Sequence, residues 1–381
     1  MAADDRLTIT QIAAPAPVGG LERVVQHLAI GLHRRGHRLR VVAVLDAGVQ
    51  DHPFLAPLAA AGVPTSVVAL TGRGYLQERR AVRRLLAAER PDVVHTHGYR
   101  SDLLDGGLAR AVGAAVVSTM HGSSRLGGLS HVWEWCQLQA WRHFDGVVAV
   151  SQALVQQLQG GGRPLGNLHL IPNAWSGVEP RHTQTEARRR LGIPGGVPVI
   201  GYVGRLIPAK GPDVLVDALC RIADRPWHAV LIGDGLLRAS LEAVIARAGL
   251  PDRVHLVGHL DDATDLYRAF DLFALPSRTE GTPIALFEAM GARLPVVATR
   301  VGGVPDVLEG TGQRLVPAEA PEALAQAMVA LLEAPEAWAA LGAAAHARVI
   351  TGYGADAWLD RHEALYRDVH QARRGRARRR A

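Results

Sequence analysis

Residues 197–223 read VPVIGYVGRLIPAKGPDVLVDALCRIA: an apolar run, a short loop with glycines and a lysine, and a second apolar segment. The first run has little polar alternation, which is typical of a parallel strand buried on both faces. Pro212 fits the first turn of a helix, where its missing N–H costs nothing. The stretch therefore predicts a strand, a loop and a helix in direct succession, which is the building unit of an α/β sheet.

The same alternation occurs in two rounds along the chain. The first round contains the strand-like runs LTITQIAA, RLRVVAVLD, DVVHTHG, AVVSTMHG, GVVAVS and LHLIPNA. A polar, turn-rich stretch follows, and the second round contains VPVIGYVG, HAVLIGDG, RVHLVGH, LFALPS and PVVATRVGG. Helices between parallel strands form right-handed crossovers, so we expect two Rossmann-like, doubly wound α/β domains that face each other across a cleft.

The predicted domains are residues 1–175 and residues 176–355. Residues 356–381 have helical sequence with no strand after it. We predict that this helix returns to the N-terminal domain and ends in an arginine-rich tail.

Composition favours a folded, cytosolic protein. Apolar residues make up 48% of the 381 residues, enough for two domain cores. No uninterrupted apolar run reaches the ~18 residues of a membrane-spanning helix, and the start, MAADDRLTIT, lacks the basic and apolar regions of a secretion signal. Cys136 and Cys220 lie far apart and support neither a disulfide framework nor a zinc site.

The net charge of +6 is concentrated at the C-terminus. Residues 371–381, QARRGRARRRA, hold six arginines and no acid, and the remainder is close to neutral. We therefore expect no nucleic-acid partner. A disordered tail is the interpretation we favour, and attraction to anionic lipid or RNA is the alternative. Codon bias explains arginine in place of lysine almost everywhere, but it does not explain the single lysine, Lys210.

Arg205 and Lys210 lie on the predicted loop before the helix that begins at Pro212. A guanidinium and an ammonium close to a helix N-terminus suit a diphosphate. A solvated pair of loop charges is the alternative. Gly233, in LIGDG after the next strand, permits close approach of a ligand to the backbone, or simply makes a tight turn. The spaced glycine fingerprint of dinucleotide binding is absent, which argues against an oxidoreductase.

The strongest signal is LPSRTEGTPIALFEAMGARLPVVATRVGGVPDVL, residues 275–308. Thr282 is the predicted N-cap of a helix and Pro283 its first residue. Glu280 then lies on the loop at the mouth of the helix, and Glu288 lies on the helix. A carboxylate can accept two hydrogen bonds from adjacent sugar or ribose hydroxyls. Alternatively, Glu280 interacts with the helix dipole and Glu288 is a surface residue.

The order GRLIPAKG, GDG and SRTEGTPIALFEAMGARLPVVATRVGG resembles the retaining glycosyltransferases of glycosyltransferase family 4, which have the two-domain GT-B fold. The resemblance covers almost the whole chain. It implies that Arg205 and Lys210 bind the diphosphate of a nucleotide-sugar donor. It also implies that Glu280 faces the transferred sugar and that Glu288 holds ribose hydroxyls.

The resemblance further implies that backbone around Thr282, Pro283 and Ile284 lies near the sugar and the phosphate. Many family members have Phe-Gly where this chain has Thr-Pro. The domain 1–175 becomes the acceptor side and 176–355 the donor side.

In the first domain, APVGGLERV matches the family's glycine-rich loop, so Gly19 and Gly20 are expected to let a helix N-terminus approach the donor phosphate or the acceptor. His121, in STMHG, matches a histidine that the family places beside the donor sugar. Turn-forming glycines and a structural histidine are the alternatives.

Other residues of the first domain are expected to be structural. We expect His95 and His97 to point in different directions, and we identify no further ligands for a metal there. Ser151 and Asn173 resemble family landmarks with a structural role. Trp135 and Trp141 are predicted to share a helical face against the sheet, with a membrane or acceptor surface as the alternative.

The implied reaction is transfer of a hexose from a UDP- or GDP-sugar to an acceptor hydroxyl, with retention of anomeric configuration, no metal and no other cofactor. The acceptor is a sugar, a lipid-linked molecule or a small molecule, and a lipid-linked acceptor implies peripheral contact with the inner face of the membrane. The rival functions are a phosphorylase, a sugar-nucleotide epimerase and a non-enzymatic nucleotide-binding protein.

Overall fold

A computed structural model describes residues 6–17, 19–49, 51–72, 74–122, 130–160 and 164–379. The chain divides into two compact units. The first comprises Met1–Pro172 and Asp356–Ala381, and the second is Asn173–Ala355. The division falls after Pro172, three residues before the predicted boundary at 175.

The first unit contains a seven-stranded parallel sheet of order β3-β2-β1-β4-β5-β6-β7. Its strands are β1 (Thr8–Ala13), β2 (Arg38–Asp46), β3 (Thr65–Leu70), β4 (Val93–His97), β5 (Ala115–Met120), β6 (Gly146–Ala149) and β7 (Leu168–Leu170). Its helices are α1 (Gly20–Arg34), α2 (Ala56–Ala60), α3 (Tyr75–Glu89), α4 (Tyr99–Leu104), α5 (Gly106–Ala111), α6 (Ser130–Trp141) and α7 (Gln152–Gln159). Ser151 caps α7, since its hydroxyl accepts a hydrogen bond from the Leu154 amide at 3.3 Å.

The second unit contains a six-stranded parallel sheet of order β10-β9-β8-β11-β12-β13. Its strands are β8 (Val199–Val203), β9 (His228–Ile232), β10 (Val254–Gly258), β11 (Leu272–Leu275), β12 (Val296–Thr299) and β13 (Arg314–Val316). Its helices are α8 (Gln184–Arg190), α9 (Pro212–Arg221), α10 (Arg238–Arg247), α11 (Ala263–Leu266), α12 (Ile284–Gly291), α13 (Val304–Leu308), α14 (Pro321–Leu332) and α15 (Trp338–Tyr353), with short 3₁₀ turns at Pro208–Lys210, Tyr267–Ala269 and Pro335–Ala337.

Successive strand residues of the second unit enter two different cores. Val199 and Phe273 belong to one buried cluster, whereas Ile200, Tyr202 and Leu272 belong to another. Because side chains alternate across a strand, the two clusters lie on opposite faces of the sheet. This double burial explains why β8 and β11 carry few polar residues, and it confirms the predicted Rossmann-like, doubly wound architecture.

The C-terminal helix α16 (Ala355–Arg378) packs on the first unit, as the following contacts show. Arg35 of α1 donates to the carboxylates of Asp360 and Glu363 at 2.6 and 3.3 Å. Further along the helix, Arg373 donates to the carbonyl oxygen of Gly113 at 2.8 Å. The buried Tyr366 hydroxyl of α16 lies 2.6 Å from His95 Nδ1, so the helix also reaches strand β4.

No helix within the described ranges is, by itself, long and apolar enough to span a membrane. The segments Pro321–Leu332 and Pro335–Tyr353 meet that criterion only when taken together, and they are bent by 82° where they join.

Candidate functional site

The loop after β8 begins at the carboxyl end of a central strand of the second unit, next to the point where strand order reverses. Ligands of open α/β sheets bind at such points. The loop turns through Pro208–Lys210, and Gly211 then adopts a left-handed conformation with φ of 63°. A Cβ at Gly211 would lie 2.1 Å from the carbonyl oxygen of Pro276, so only glycine fits. Pro212 begins α9 as predicted, which places Lys210 at the mouth of that helix.

Lys210 is paired with Glu280. The Lys210 ammonium donates to both Glu280 carboxylate oxygens at 2.7 Å, and the Ser277 hydroxyl donates to one of them at 2.7 Å. The Glu280 side chain is buried, with 5% exposed, whereas 27% of the Lys210 side chain is exposed. An ammonium has three N–H donors, so the pair leaves one of them for a further acceptor.

Arg278 holds the loop after β8 in place, here called the lysine loop because it carries Lys210. The sequence did not reveal this role. Its guanidinium donates to both Asp213 carboxylate oxygens at 2.8 and 2.7 Å, to the Pro208 carbonyl at 2.7 Å and to Glu319 at 2.9 Å. Burial acts to raise the pKa of the Asp213 carboxyl, but the hydrogen bonds from Arg278 outweigh it and leave that pKa below its usual range. The only available sequence signal was the position of Arg278, two residues before Glu280.

Arg205 has the opposite character, because its side chain is exposed. Throughout the described ranges, no acidic side chain pairs with its guanidinium. Its backbone is nevertheless fixed, since the buried Tyr202 hydroxyl donates to the Arg205 carbonyl oxygen at 2.9 Å. Burial, and secondarily the charge of Glu280, raises the pKa of that tyrosine. The loop therefore presents an unneutralised guanidinium on an anchored backbone.

Gly233 holds the next strand's loop against the lysine loop. Its φ is 142°, and a Cβ there would lie 1.9 Å from the Gly204 carbonyl oxygen. The Leu206 amide donates to the Asp234 carbonyl at 2.9 Å, and the Leu237 amide donates to the Leu206 carbonyl at 2.9 Å. Packing between the two loops is thus sufficient to require glycine at 233.

Helix α12 begins at Ile284, one residue later than predicted. Pro283 is the N-cap instead of the first helical residue, and Thr282 precedes the cap. Pro283 has ψ of 124°, an extended value that no helical residue adopts, which explains the shift. The carbonyl of Thr282 accepts from the Asn173 side-chain amide at 2.9 Å, which gives Asn173 the structural role expected for it.

Backbone contacts also fix the Glu280 loop. Gly302 has φ of 52°, and a Cβ there would lie 1.8 Å from the Glu280 carbonyl oxygen. The neighbouring Gly303 amide donates to the Gly281 carbonyl at 2.8 Å. The VGG sequence after β12 is therefore needed to hold the carboxylate loop in place.

Glu288 lies on α12 and is not a surface residue, so the alternative interpretation was wrong. It is 7% exposed, and its carboxylate accepts hydrogen bonds from the Tyr267 hydroxyl at 2.9 Å and the Thr264 hydroxyl at 3.2 Å. Two hydroxyl groups of the protein therefore hold this carboxylate in place.

The site residues predicted from the sequence are divided between the two units. The first unit contains Gly19, Gly20 and His121, and the second contains Arg205, Lys210, Gly233, Glu280, Thr282, Pro283, Ile284 and Glu288. Gly20 is the first residue of α1, and a Cβ there would meet no atom within 4 Å. Packing therefore gives no reason for glycine at 20. A Cβ at Gly19 would lie 2.3 Å from a carboxylate oxygen of Glu22, which caps the turn by accepting from the Ala16 amide at 2.8 Å.

The histidines of β4 share one face, contrary to expectation. The ring centroids of His95 and His97 are 4.1 Å apart, because residues two apart on a strand point to the same side. His97 Nδ1 lies 3.1 Å from His121 Nε2. Burial, and secondarily the neighbouring His362, lowers the pKa of His121 to about 3, so its ring is neutral near pH 7. Among the described residues, no group of three or more His, Cys, Asp or Glu side chains is arranged to hold a metal ion.

Of the two α6 tryptophans predicted to lie against the sheet, only Trp141 does so. Trp141 is buried, and its indole N–H contacts Asp102 at 3.0 Å and Ser118 at 3.1 Å. Trp135, however, is 61% exposed and Trp133 is 49% exposed. The two exposed tryptophans therefore do not pack on the sheet.

Two units with Rossmann strand order are what the GT-B class of glycosyltransferase folds contains. Residues 18–175 match the family described as Glycosyltransferase Family 4, and residues 197–334 match Glycosyl transferases group 1. Together these matches cover most of the chain. The protein belongs to glycosyltransferase family 4.

Curated relatives are similar over part of their length. The lipopolysaccharide core biosynthesis mannosyltransferase LpsB of Rhizobium meliloti is 31% identical over 50% of this chain and 56% of its own. The D-inositol 3-phosphate glycosyltransferase of Xylanimonas cellulosilytica is 33% identical over 67% of each chain. This chain thus spans little more than half the length of the first relative.

A solved structure shows the same fold over nearly the whole chain. The Anabaena HepE protein in complex with UDP-glucose superposes with a TM-score of 0.83 and is 23% identical, covering 94% of this chain and 98% of its own.

Proposed function

We propose that the protein transfers a hexose from a UDP- or GDP-sugar to an acceptor hydroxyl in glycan biosynthesis, with retention of anomeric configuration and without a bound metal. The observation that carries the proposal is the arrangement around Lys210. One strand-to-helix loop brings three features together. They are the Lys210 ammonium, which has one N–H donor left beside its pair with Glu280, the exposed and unpaired Arg205 guanidinium, and the N-terminus of α9. The family membership and the UDP-glucose complex of HepE support this assignment.

In this proposal, Arg205 and Lys210 neutralise the diphosphate as the departing nucleotide gains negative charge. The N-terminus of α9 adds roughly 0.3–1 kcal/mol toward an anion, or more when partly buried. Preorganised donors of this kind are typically worth roughly 2.7–4 kcal/mol each in transition-state stabilisation. Because Arg278 and Gly211 fix the loop beforehand, little reorganisation is needed when charge develops.

We assign Glu280 to the transferred sugar and Glu288 to the ribose hydroxyls. The Lys210 ammonium orients the Glu280 carboxylate, and Tyr267 and Thr264 orient that of Glu288. The assignment of His121 to the donor sugar, and of the Gly19–Gly20 turn to the donor phosphate or acceptor, rests on the resemblance to the family. Front-face attack, in which the leaving phosphate helps to deprotonate the acceptor, completes the proposed reaction.

The donor is tested with UDP-glucose and GDP-mannose as probes. Isothermal titration with UDP and GDP measures nucleotide binding, and nuclear magnetic resonance identifies which anomer of the sugar is released first by slow hydrolysis. An α-linked donor that first releases the α-anomer, in buffer with and without a chelator, supports retention without a metal. Early release of the β-anomer, or activity lost with chelator, overturns the corresponding part of the proposal.

The same assay separates the rivals. Phosphate-dependent release of a sugar phosphate indicates a phosphorylase. Conversion of the donor to a second nucleotide sugar, with no acceptor present, indicates an epimerase. Saturable nucleotide binding without transfer or hydrolysis, across a panel of acceptors, indicates a binding protein.

We also propose that the protein acts in the cytoplasm and contacts the inner face of the membrane through the surface formed by α3, α4 and α6, here called the aromatic face. These helices contact one another in the order α3–α4–α6. Their exposed apolar residues are Tyr75, Leu76, Tyr99, Val132, Trp133 and Trp135. Aromatic side chains beside cationic ones are typical of proteins that bind the surface of an anionic bilayer.

The cations of this face are on α3. Arg80, Arg83 and Arg84 are exposed, and in the described part of the chain they have no acidic partner. Arg80 and Arg84, with Tyr75 and Leu76, line an open groove of about 820 Å³. Each arginine near an anionic surface contributes about 1 kcal/mol, so the face is suited to a lipid-linked acceptor at the membrane.

Co-sedimentation with vesicles tests this second proposal. Vesicles of phosphatidylcholine containing phosphatidylglycerol should bind the protein, and a Trp133→Ser, Trp135→Ser variant should bind less. Ile350→Ser, which removes a 47% exposed side chain from the second unit, is the matched control. Equal binding by the tryptophan variant and the wild type would contradict the proposal.

A further inference from the structure

Three histidine rings follow one another at the carboxyl end of β4 and β5 in the first unit. His95 is held at both nitrogens, since Nδ1 lies 2.6 Å from the Tyr366 hydroxyl and Nε2 lies 2.7 Å from the Thr119 hydroxyl. The His97 ring lies against it, and the ring centroids of His97 and His121 are 5.4 Å apart. The row therefore runs from α16, through the sheet, to the loop after β5.

Among the described residues, the His121 ring nitrogens have a single hydrogen-bond partner, and that partner is His97. His97 Nδ1 and His121 Nε2 are 3.1 Å apart, whereas His97 Nε2 and His121 Nδ1 are buried and have no hydrogen-bond partner among the described groups. His97 itself is 2% exposed. A buried polar atom without a partner costs about 1–3 kcal/mol, so these two atoms are expensive to leave unused.

A single proton links the states of the two rings. Burial lowers the pKa of both, so each ring is neutral and carries one N–H. If His97 Nδ1–H donates to His121 Nε2, then His121 must carry its own proton on Nδ1. If His121 Nε2–H donates instead, then His121 Nδ1 is a bare acceptor. The tautomer of His97 therefore decides whether Nδ1 of His121 carries the proton or is a bare acceptor.

We propose that His97 is a positioning residue that fixes the ring orientation and tautomer of His121, the histidine that the proposed function places beside the donor sugar. The inference rests on the proposed function only in naming the sugar as the partner of His121. Thr119 and Tyr366 hold His95, and His95 in turn packs against the His97 ring, with the two ring planes at 32° to each other.

Two substitutions of His97, each of which introduces a side-chain amide, test its contact with His121. In His97→Asn, the side-chain amide can occupy the position of Nδ1 and keep the hydrogen bond to His121. In His97→Gln, the amide lies one bond further out, near the position of Nε2, and the hydrogen bond is lost. With UDP-glucose or GDP-mannose as donor, we expect hydrolytic turnover to fall at least tenfold in His97→Gln and to stay within about threefold of wild type in His97→Asn.

UDP and GDP titrations keep the two hypotheses separate. His97 is not among the residues proposed above to bind the nucleotide, so both variants should bind UDP and GDP as the wild type does. If the wild-type protein neither binds nor hydrolyses these donors, the proposed donor specificity fails, and the histidine inference is then decided by the spectrum alone.

That spectrum is a long-range ¹H–¹⁵N correlation of protein labelled at histidine, with the His121 signals assigned from His121→Gln. It reports which ring nitrogen is protonated. We expect one dominant tautomer of His121 in the wild type and in His97→Asn, and a mixture or the opposite tautomer in His97→Gln. Identical His121 nitrogen shifts in all three proteins, or equal turnover in the two amide variants, would overturn the inference.

Discussion

The Lys210 ammonium lies 2.7 Å from both carboxylate oxygens of Glu280, 70 residues further along the chain. The pair joins the loop after β8 to the loop after β11, the two strands between which the order of the second sheet reverses. The only lysine of the chain and this buried carboxylate thus orient each other. Any change at Lys210 therefore affects Glu280 as well.

Lys210→Ala alone should impair both folding stability and turnover. It leaves the buried Glu280 carboxylate without its cation, and removing one partner of a buried pair costs about 3–5 kcal/mol, less where one partner is partly exposed as here. The double variant Lys210→Met, Glu280→Gln removes both charges and should recover most of the stability without recovering turnover. Thermal unfolding and donor hydrolysis measured on all three proteins check this. A double variant with wild-type turnover would show that the pair is structural only.

Lys210→Arg should fold but turn over at least about tenfold more slowly. The guanidinium keeps the charge and can still pair with Glu280, but it is planar and larger than the ammonium. Steady-state kinetics decide the question, and full activity of Lys210→Arg would mean that charge alone matters there.

Two glycine substitutions should separate packing from ligand approach. Gly302→Ala places a Cβ 1.8 Å from the Glu280 carbonyl at a left-handed φ, so we expect a loss of stability of about 1–3 kcal/mol or more. Gly20→Ala meets no atom within 4 Å and should leave stability within about 0.5 kcal/mol of wild type. Chemical denaturation measures both. If Gly20→Ala lowers donor hydrolysis at unchanged stability, glycine at 20 serves a ligand.

Stability should decrease in mild acid because the buried His362 and the half-buried His27 stay neutral in the folded state. Burial lowers the pKa of His362 and of His27 to about 4, from 6.5. Between pH 6.5 and about 4 the unfolded chain binds more protons at these sites than the folded chain does. The free energy of unfolding therefore decreases as the pH is lowered through this window. His362→Gln should flatten the decrease. A free energy of unfolding that is constant from pH 7 to pH 5 would contradict this account.

The fold could be predicted largely because parallel strands buried on both faces leave an unmistakable pattern of Val, Ile and Leu, as at β8 and β11. The position of Lys210 also followed from local sequence, since Gly211 and Pro212 mark the end of a loop and the start of a helix. The pairing of Lys210 with Glu280 did not, because it depends on which strands become neighbours. The Arg278 brace was missed for the same reason.

Two errors had simpler causes. His95 and His97 share a face because strand side chains repeat every two residues, a rule that the sequence interpretation misapplied. Trp135 and Trp141 lie six residues apart on α6, a spacing that places them well apart around the helix, so only Trp141 reaches the sheet. The burial of Glu288 could not be read from sequence, since it depends on Tyr267 and Thr264 in another segment.

The affinity of UDP and GDP for the Lys210→Met, Glu280→Gln variant tests the central claim most directly. A charge-assisted hydrogen bond is worth about 1.5–3 kcal/mol, and about 1.4 kcal/mol corresponds to a factor of ten. We therefore predict that the preferred nucleotide binds roughly 10- to 100-fold more weakly to this variant than to the wild type, with thermal stability of the free proteins similar. Equal affinity in the two proteins would contradict the assignment of Lys210 to the donor diphosphate.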